Sequence, residues 1–376
     1  MLRHPVLVLV PALAIASSAC GKRPETAPTP ERPDSVLTGP EIRRAYWYNS
    51  RPYGSERTVH PLTSILNNGF DQIRTGENRH FLEYDYSKGA TGAWNSIIHA
   101  QRLVRQYGAR DWVRFELLPL TLKYGGGGQW VPNYQLHLFG GGVTYVRLIG
   151  FFEQRGFPYP RIAAGATAMT GHFINEMLEN TGYNEGSIDA MTDLLIFDPA
   201  SILLWNSDRV QRFIGKRVEI TEWSGQPSIS FPGETLENAF QTTMVRVRLP
   251  RTKNWRAFTT MGGSYVGGIS RRSGEDLWYS LGFGWDARSN PVVDPVTGRK
   301  TVELIGNIAL FVDRQGSLLG SVVMKSGFDA GVAVNVYPGL TRSGNMPGLW
   351  AQFLRDPAGI RFGLTSPIGV GIGRNP

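Results

Sequence analysis

The chain has 376 residues, 45 of them glycine, with 41% hydrophobic and 11% aromatic side chains. That is enough for one large domain or two intimate halves, since chains beyond about 250 residues tend to divide. The formal charge of +8 suits a surface near anionic lipid headgroups or lipid A phosphates, but no helix-turn-helix, zinc-finger pattern or Lys/Arg run is present, which argues against a nucleic-acid partner.

Met1 to Ala19 reads as a secretory signal: Arg3 is the basic start, Val6 to Ile15 the apolar run, and Ser17-Ser18-Ala19 the small residues before a cut. Cleavage there makes Cys20, the only cysteine, the new N-terminus. This resembles the lipobox of bacterial lipoproteins, whose cysteine carries acyl chains such as palmitate, although Ser17 replaces the usual Leu. A lone thiol in an exported protein is a liability unless it is modified. With Gly21 instead of Asp after the cysteine, the resemblance implies a lipid anchor at the outer membrane of a Gram-negative cell envelope. Losing the signal removes Arg3, so the mature chain stands one charge below +8. Residues 20–40, with Pro24, Pro28, Pro30 and Pro33, have too little apolar surface to fold and read as an extended tether.

Residues 41–217 read as a mixed region. The aromatic group Trp47, Tyr48, Tyr53, Phe81, Tyr84 and Tyr86 fits packing over a β surface or an interfacial belt. Ala93 to Tyr107 predicts a helix, and Trp112 to Tyr124 a strand interrupted by Pro119. Gly125 to Gly128 predicts a turn, because the Lys-Ser/Thr of a phosphate loop does not come after it. Tyr134 to Gln154, bearing His137, predicts a helix about 31 Å long at about 1.5 Å per residue. A second is expected from Arg161 to Asn180, where Ala164, Ala168, His172 and Glu176 recur every four residues and share a face, with Glu179 close by. Small residues on both predict a tight antiparallel helical hairpin. Ser187 with Asp189 or Asp193 reads as a helix cap. Asp198-Pro199 is expected to break the apolar run Leu194 to Trp205 into a broken third helix, and Ser207-Asp208 to cap a short helix to Lys216.

From residue 218 to 376 short runs alternate between apolar and polar residues, separated by Gly, Pro, Asn and Asp. Val218 to Trp223, Met244 to Leu249, Leu277 to Asp286, Val302 to Asp313, Leu318 to Lys325, Phe328 to Tyr337, Ile360 to Thr365 and Ile368 to Ile372 predict strands, with a hairpin loop at Asp313 to Ser317. The expected fold class is α+β: a helical hairpin and broken third helix packed on or inside a curved antiparallel β-sheet or β-barrel. Leu277 to Trp285 fits a membrane strand, whereas the chain ends Gly373-Arg374-Asn375-Pro376 and not on an aromatic. A spanning barrel and a soluble or membrane-leaning β domain both stay open. Gly262-Gly263-Ser264-Tyr265-Val266 lacks the closing glycine of a nucleophile elbow. Thr170-Gly171-His172 lacks the basic motif and second His of lipid phosphatases.

His137, Glu176, Ser187 and Asp193 occur in an order that resembles uncharacterised bacterial envelope proteins classed as domains of unknown function. The resemblance spans about Asn133 to Trp205, and Pro199-Ala200-Ser201 stands where many relatives have glycines. It implies a shared envelope module and supplies no activity. The residues themselves admit three readings. His137, His172, Glu176, Glu179 and Asp189 form a buried polar network that fixes the fold. Alternatively, a His–carboxylate pair serves as general base on a lipid ester or phosphate, with Ser187 as nucleophile. Or His172 and Glu176 share an ion with His137 or Asp189. No cofactor or metal is assigned on this basis. The expected function is a structural or lipid-interacting envelope component, with a lipid-modifying hydrolase or a barrel pore as alternatives.

Overall fold

In a computed structural model of the chain, the described residues are 37–72, 79–119, 130–179, 184–274, 276–293, 300–327, 329–340, 346–355 and 358–376. The predicted signal, Cys20, most of the tether and the Gly125–Gly128 turn lie outside them. The fold is α+β, with every described helix before residue 219 and every described strand from residue 219 onward.

Local chemistry explains several helix starts. His60 accepts the Leu62 N–H through Nδ1 just before Pro61, whose fixed φ suits the first turn of the helix Pro61–Gly69. Asp85 caps Tyr86–Ile98 by accepting the Lys88 N–H. Trp112 to Leu117 is helical and not the expected strand: Ala109–Trp112 leads into a π-helical turn, Val113–Leu117. Tertiary bonds override the local preference there, since Trp112 Nε1 donates to Thr192 Oγ1 and the Glu116 carbonyl accepts from Asn133. The His137 helix begins earlier than predicted, as a π-helical stretch Trp130–Gly141 that runs into the α-helix Gly142–Gln154. Pro160–Glu179 comes next, after a short turn. Asp198-Pro199 does not break its run. The π-turn Asp193–Phe197 joins Ile188–Thr192 to Asp198–Trp205, and Pro199 falls in the first turn of the last piece.

Among the described residues the sheet has 13 strands: β1 Glu219–Glu222, β2 Ser228–Phe231, β3 Thr235–Glu237, β4 Thr242–Arg248, β5 Trp255–Gly262, β6 Tyr265–Ser273, β7 Leu277–Val293, β8 Lys300–Arg314, β9 Ser317–Lys325, β10 Ala330–Val336, β11 Gly348–Arg355, β12 Ala358–Thr365 and β13 Gly371–Arg374. From β4 to β13 neighbours in sequence are neighbours in space, all antiparallel. β1 lies beside β4 at one end of the order; β2, parallel to β13, and β3 lie at the other.

Those two ends belong to one hairpin. The pairs Glu219↔Arg246 to Glu222↔Thr243 continue through the bonds Trp223 N–H to Thr242 O and Gly225 N–H to Phe240 O. The same offset then resumes at Ser228↔Glu237 and Ser230↔Thr235.

On several strands the exposed face of the sheet is apolar, while polar side chains are buried on the other face beside an apolar cluster. On β7, Tyr279, Leu281, Phe283 and Trp285 are exposed, Phe283 by 76%, while Trp278, Ser280, Gly282 and Asp286 are buried. On β12 Ile360, Phe362 and Leu364 point out, and Arg361 and Thr365 in. On β2 Ile229 and Phe231 are exposed, and Ser228 and Ser230 buried. The inner face holds Arg246, bonded to Asp313, Glu219 and Ser270, beside a cluster of Trp223, Met244, Phe258, Phe311 and Tyr337. Gln226 ties β10 to β12 by bonding Asn335 and Thr365.

The helices cover the outer side of the long hairpin. Ile220 of β1 joins a core of Ile42, Trp47, Val143, Phe151, Phe152, Ala164 and Trp205. Leu236 and Ala239 join a second with Ile65, Phe70, Ile174, Met177 and Leu194. Among the described residues, no helix is long and apolar enough to cross a membrane.

Candidate functional site

Four helical segments converge on a buried group of His and carboxylate side chains. Trp130–Gly141 supplies His137, Pro160–Glu179 supplies His172, Glu176 and Glu179, the π-turn supplies Asp193, and the next helix supplies Asp198 and Ser201. Glycines bring these helices together: a Cβ on Gly141 would stand 3.0 Å from His172 Nε2 and 3.6 Å from Ser201 Oγ, and one on Gly142 would overlap the Trp205 ring. Trp205 Nε1 donates to the Leu138 carbonyl and so pins the His137 segment to the Asp198 helix.

His137 is the hub. Its Nδ1 lies 2.8 Å from Asp198 Oδ1, and a carboxylate only accepts, so Nδ1 carries the proton. Its Nε2 faces the other way, 3.6 Å from Asp193 Oδ2. His172 Nδ1 approaches the same Asp198 oxygen at 3.3 Å, and the two imidazole rings lie 5.3 Å apart. His172 and Glu176, one turn apart on one helix, therefore fall into different groupings: His172 with His137 and Asp198, Glu176 with His137 and Asp193.

The electrostatics are those of acids crowded out of water. Burial, then the charges of Glu179, Asp193 and Asp189, pushes the Glu176 carboxyl well above its ordinary range, and Asp193 shifts the same way through burial beside Asp189 and Asp198. Burial and Asp189 lift Glu179 to about 7, against hydrogen bonds from Asn175 and Gln72. For His137 burial opposes the charge, but Asp198, Glu176 and Glu179 outweigh it and raise the imidazolium to about 9. His172 moves down, since burial and the neighbouring His137 outweigh Asp198. Asp193 Oδ1, Asp198 Oδ2 and Ser201 Oγ are buried without a hydrogen-bond partner among the described residues.

Of the residues singled out in the sequence, His137, His172, Glu176, Glu179 and Asp193 come together. Ser187 stands at a helix cap, its Oγ accepting the Ala190 N–H, with Asp189 in the first turn. Asp198 and Ser201 belong to the cluster without being candidates from the sequence. There Asp198 reads only as a chain break, and the sole signal for it is an acid one turn after Asp193 inside an apolar run.

The chain matches no protein-family model, no curated protein and no solved structure.

Proposed function

We propose that this protein is a lipid-anchored envelope component whose sheet closes into a barrel seated in the outer membrane, with a helical hairpin module held against its wall. The observation that supports this is the apolar outer face: apolar side chains outward on β2, β7 and β12, with serines, Arg361, Thr365 and the Arg246–Asp313 pair inward. A hydrocarbon surrounding favours that arrangement, since contiguous exposed apolar side chains mark membrane or protein contacts. Leu277 to Trp285, nine residues, matches the length a tilted membrane strand needs. The shared hairpin of β1–β4 supports closure, because it joins both ends of the strand order. Aromatic and charged side chains fill the inside, which favours a sealed, lipid-interacting barrel over a pore.

Expression of wild type and Cys20→Ser in a Gram-negative host, followed by alkaline extraction, tests the reading. A seated barrel stays in the membrane without its acyl chains and migrates differently on gels when unheated. Release of the Cys20→Ser protein into the soluble fraction would overturn it, and stepwise conductance in planar bilayers would favour the pore.

A lipid-ester hydrolase is favoured by one further observation. Asp198 Oδ1 approaches His172 Nδ1, while a Cβ on Gly141 would stand 3.0 Å from His172 Nε2 and 3.6 Å from Ser201 Oγ, so the two atoms lie near one another. In that reading Ser201 Oγ attacks the ester carbonyl and its proton passes to His172 Nε2. The departing alcohol then takes that proton, and water releases the acyl group from Ser201. Phospholipid turnover lost in both Ser201→Ala and His172→Asn supports it; no turnover by the wild type in detergent–lipid micelles rejects it.

A further inference from the structure

We infer that the His137 Nε2 side of the helical cluster is a binding site for one divalent first-row transition metal, held by His137, Glu176 and Asp193.

Three separate features lead there. The ligand atoms of these residues lie within 4.8 Å of one another, on three different segments, and all three side chains are buried. The 3.6 Å between His137 Nε2 and Asp193 Oδ2 is too long for a hydrogen bond. It is close to the separation of about 3.4 Å between two donors that share a tetrahedral metal at about 2.1 Å. Asp193 Oδ1 is buried with no partner among the described residues, and that orphan is independent of the charge count.

The other grouping, His137, His172 and Asp198, has the geometry of outer support. The 2.8 Å from His137 Nδ1 to Asp198 Oδ1 is a hydrogen bond with no room for an ion between its atoms. It orients the ring with Nε2 turned towards Asp193, the nitrogen that would bind an ion on giving up its proton, which is how metal-bound histidines are oriented by carboxylates. Charge points the same way. Glu179, Asp193 and Asp189 all bear on the buried Glu176 carboxyl, opposed by His137. A dication between these side chains offsets that crowding of acids. One imidazole with two carboxylates fits Zn²⁺, Mn²⁺ or Fe²⁺ better than Ca²⁺ or Cu⁺, and three protein ligands leave a position open for water or a substrate oxygen.

The test uses the detergent-solubilised full mature chain, stripped with chelator and titrated with Co²⁺ and then Zn²⁺. The expected result is one Co²⁺ per chain with visible d–d absorption, bleached by one equivalent of Zn²⁺, and a rise in melting temperature on loading. Glu176→Gln and Asp193→Asn should lower affinity at least tenfold, and Asp198→Asn should lower it by about 10–100-fold while the one-to-one stoichiometry is kept. A stripped wild type that melts cooperatively, shows no Zn²⁺-sensitive Co²⁺ band and gains no stability would overturn the inference, whatever the variants do. Wild-type affinity in folded Glu176→Gln and Asp193→Asn would overturn it as well.

Discussion

Arg246 lies wholly inside the sheet against Asp313, the pair spanning from β4 to β8, with side chains that are both 0% exposed. Glu219 also bonds Arg246 from β1, so a single guanidinium joins the hairpin that begins the sheet to a strand four places along it. Removing one partner leaves an uncompensated buried charge, which costs about 3–5 kcal/mol. We expect Arg246→Met to lower resistance to urea by that order. The double change Arg246→Met with Asp313→Leu should recover most of the loss, as read from the heat-dependent gel shift of the folded sheet.

The outer face gives a sharper contrast between surroundings. Leu281 and Phe283 are exposed on β7. In lipid, Leu281→Lys or Phe283→Arg should destabilise by about 2–4 kcal/mol if the position lies near the bilayer midplane. On a water-facing surface the same changes stay within about 0.5 kcal/mol. Urea titrations in lipid vesicles distinguish the two.

His60 predicts an acid limit of the helical part. Burial, helped by Arg155, lowers its imidazole to about 4, because the neutral ring caps the Pro61–Gly69 helix and packs on Phe151. A depressed folded pKa means that the neutral form is favoured by folding. This stabilisation is complete above the unfolded value of about 6.5 and is lost as pH falls from there towards about 4, by up to about 3 kcal/mol. His60→Asn keeps a cap acceptor and should flatten that part of the profile, measured by near-UV circular dichroism melts from pH 7.5 to 4.

Two glycines on neighbouring helices should respond with opposite signs. A methyl on Gly142 would enter the Trp205 ring and displace the bond from its Nε1 to the Leu138 carbonyl, so Gly142→Ala should destabilise by about 1–3 kcal/mol. On Gly165 the nearest atom to a new Cβ is 3.8 Å away, so Gly165→Ala should stabilise its helix by about 0.5–1 kcal/mol. Paired thermal melts of the two variants check the sign.

Ser187→Ala should cost about 1 kcal/mol through loss of the cap to Ala190. Ser187→Gly should recover most of that, since glycine is tolerated at caps. If Ser187 instead served as a nucleophile, both variants would lose lipid turnover equally and their difference in stability would not matter.

The sequence by itself determined the elements whose information is local. The period-two alternation of Leu277 to Trp285 and Ile360 to Thr365 needs no partner to be read, and β7 and β12 lie there; the four-residue recurrence of Ala164, Ala168, His172 and Glu176 likewise marks the helix Pro160–Glu179. Trp112 to Leu117 resists the same reading, because its conformation is set by Thr192 and Asn133, distant along the chain. Periodicity also cannot say which face of the alternation is inside. The tertiary structure decides that by burying Arg246, Asp313, Ser280 and Arg361 on one face of the sheet, which requires strands far apart in the order at once.

For the candidate site, the sequence named most of the side chains, and the tertiary structure decided their grouping. Helical spacing puts His172 and Glu176 on one face, yet His137 separates them because its two ring nitrogens point to different partners. The π-helical stretches at Trp130–Gly141 and Asp193–Phe197 set the rotation that aims His137 at both Asp193 and Asp198. A π-turn adds a residue to the helical repeat, so a register read at 3.6 residues per turn misplaces every side chain beyond it. Asp198 escapes a sequence reading for that physical reason: its role depends on a helix rotation that only the packed glycines and Trp205 impose.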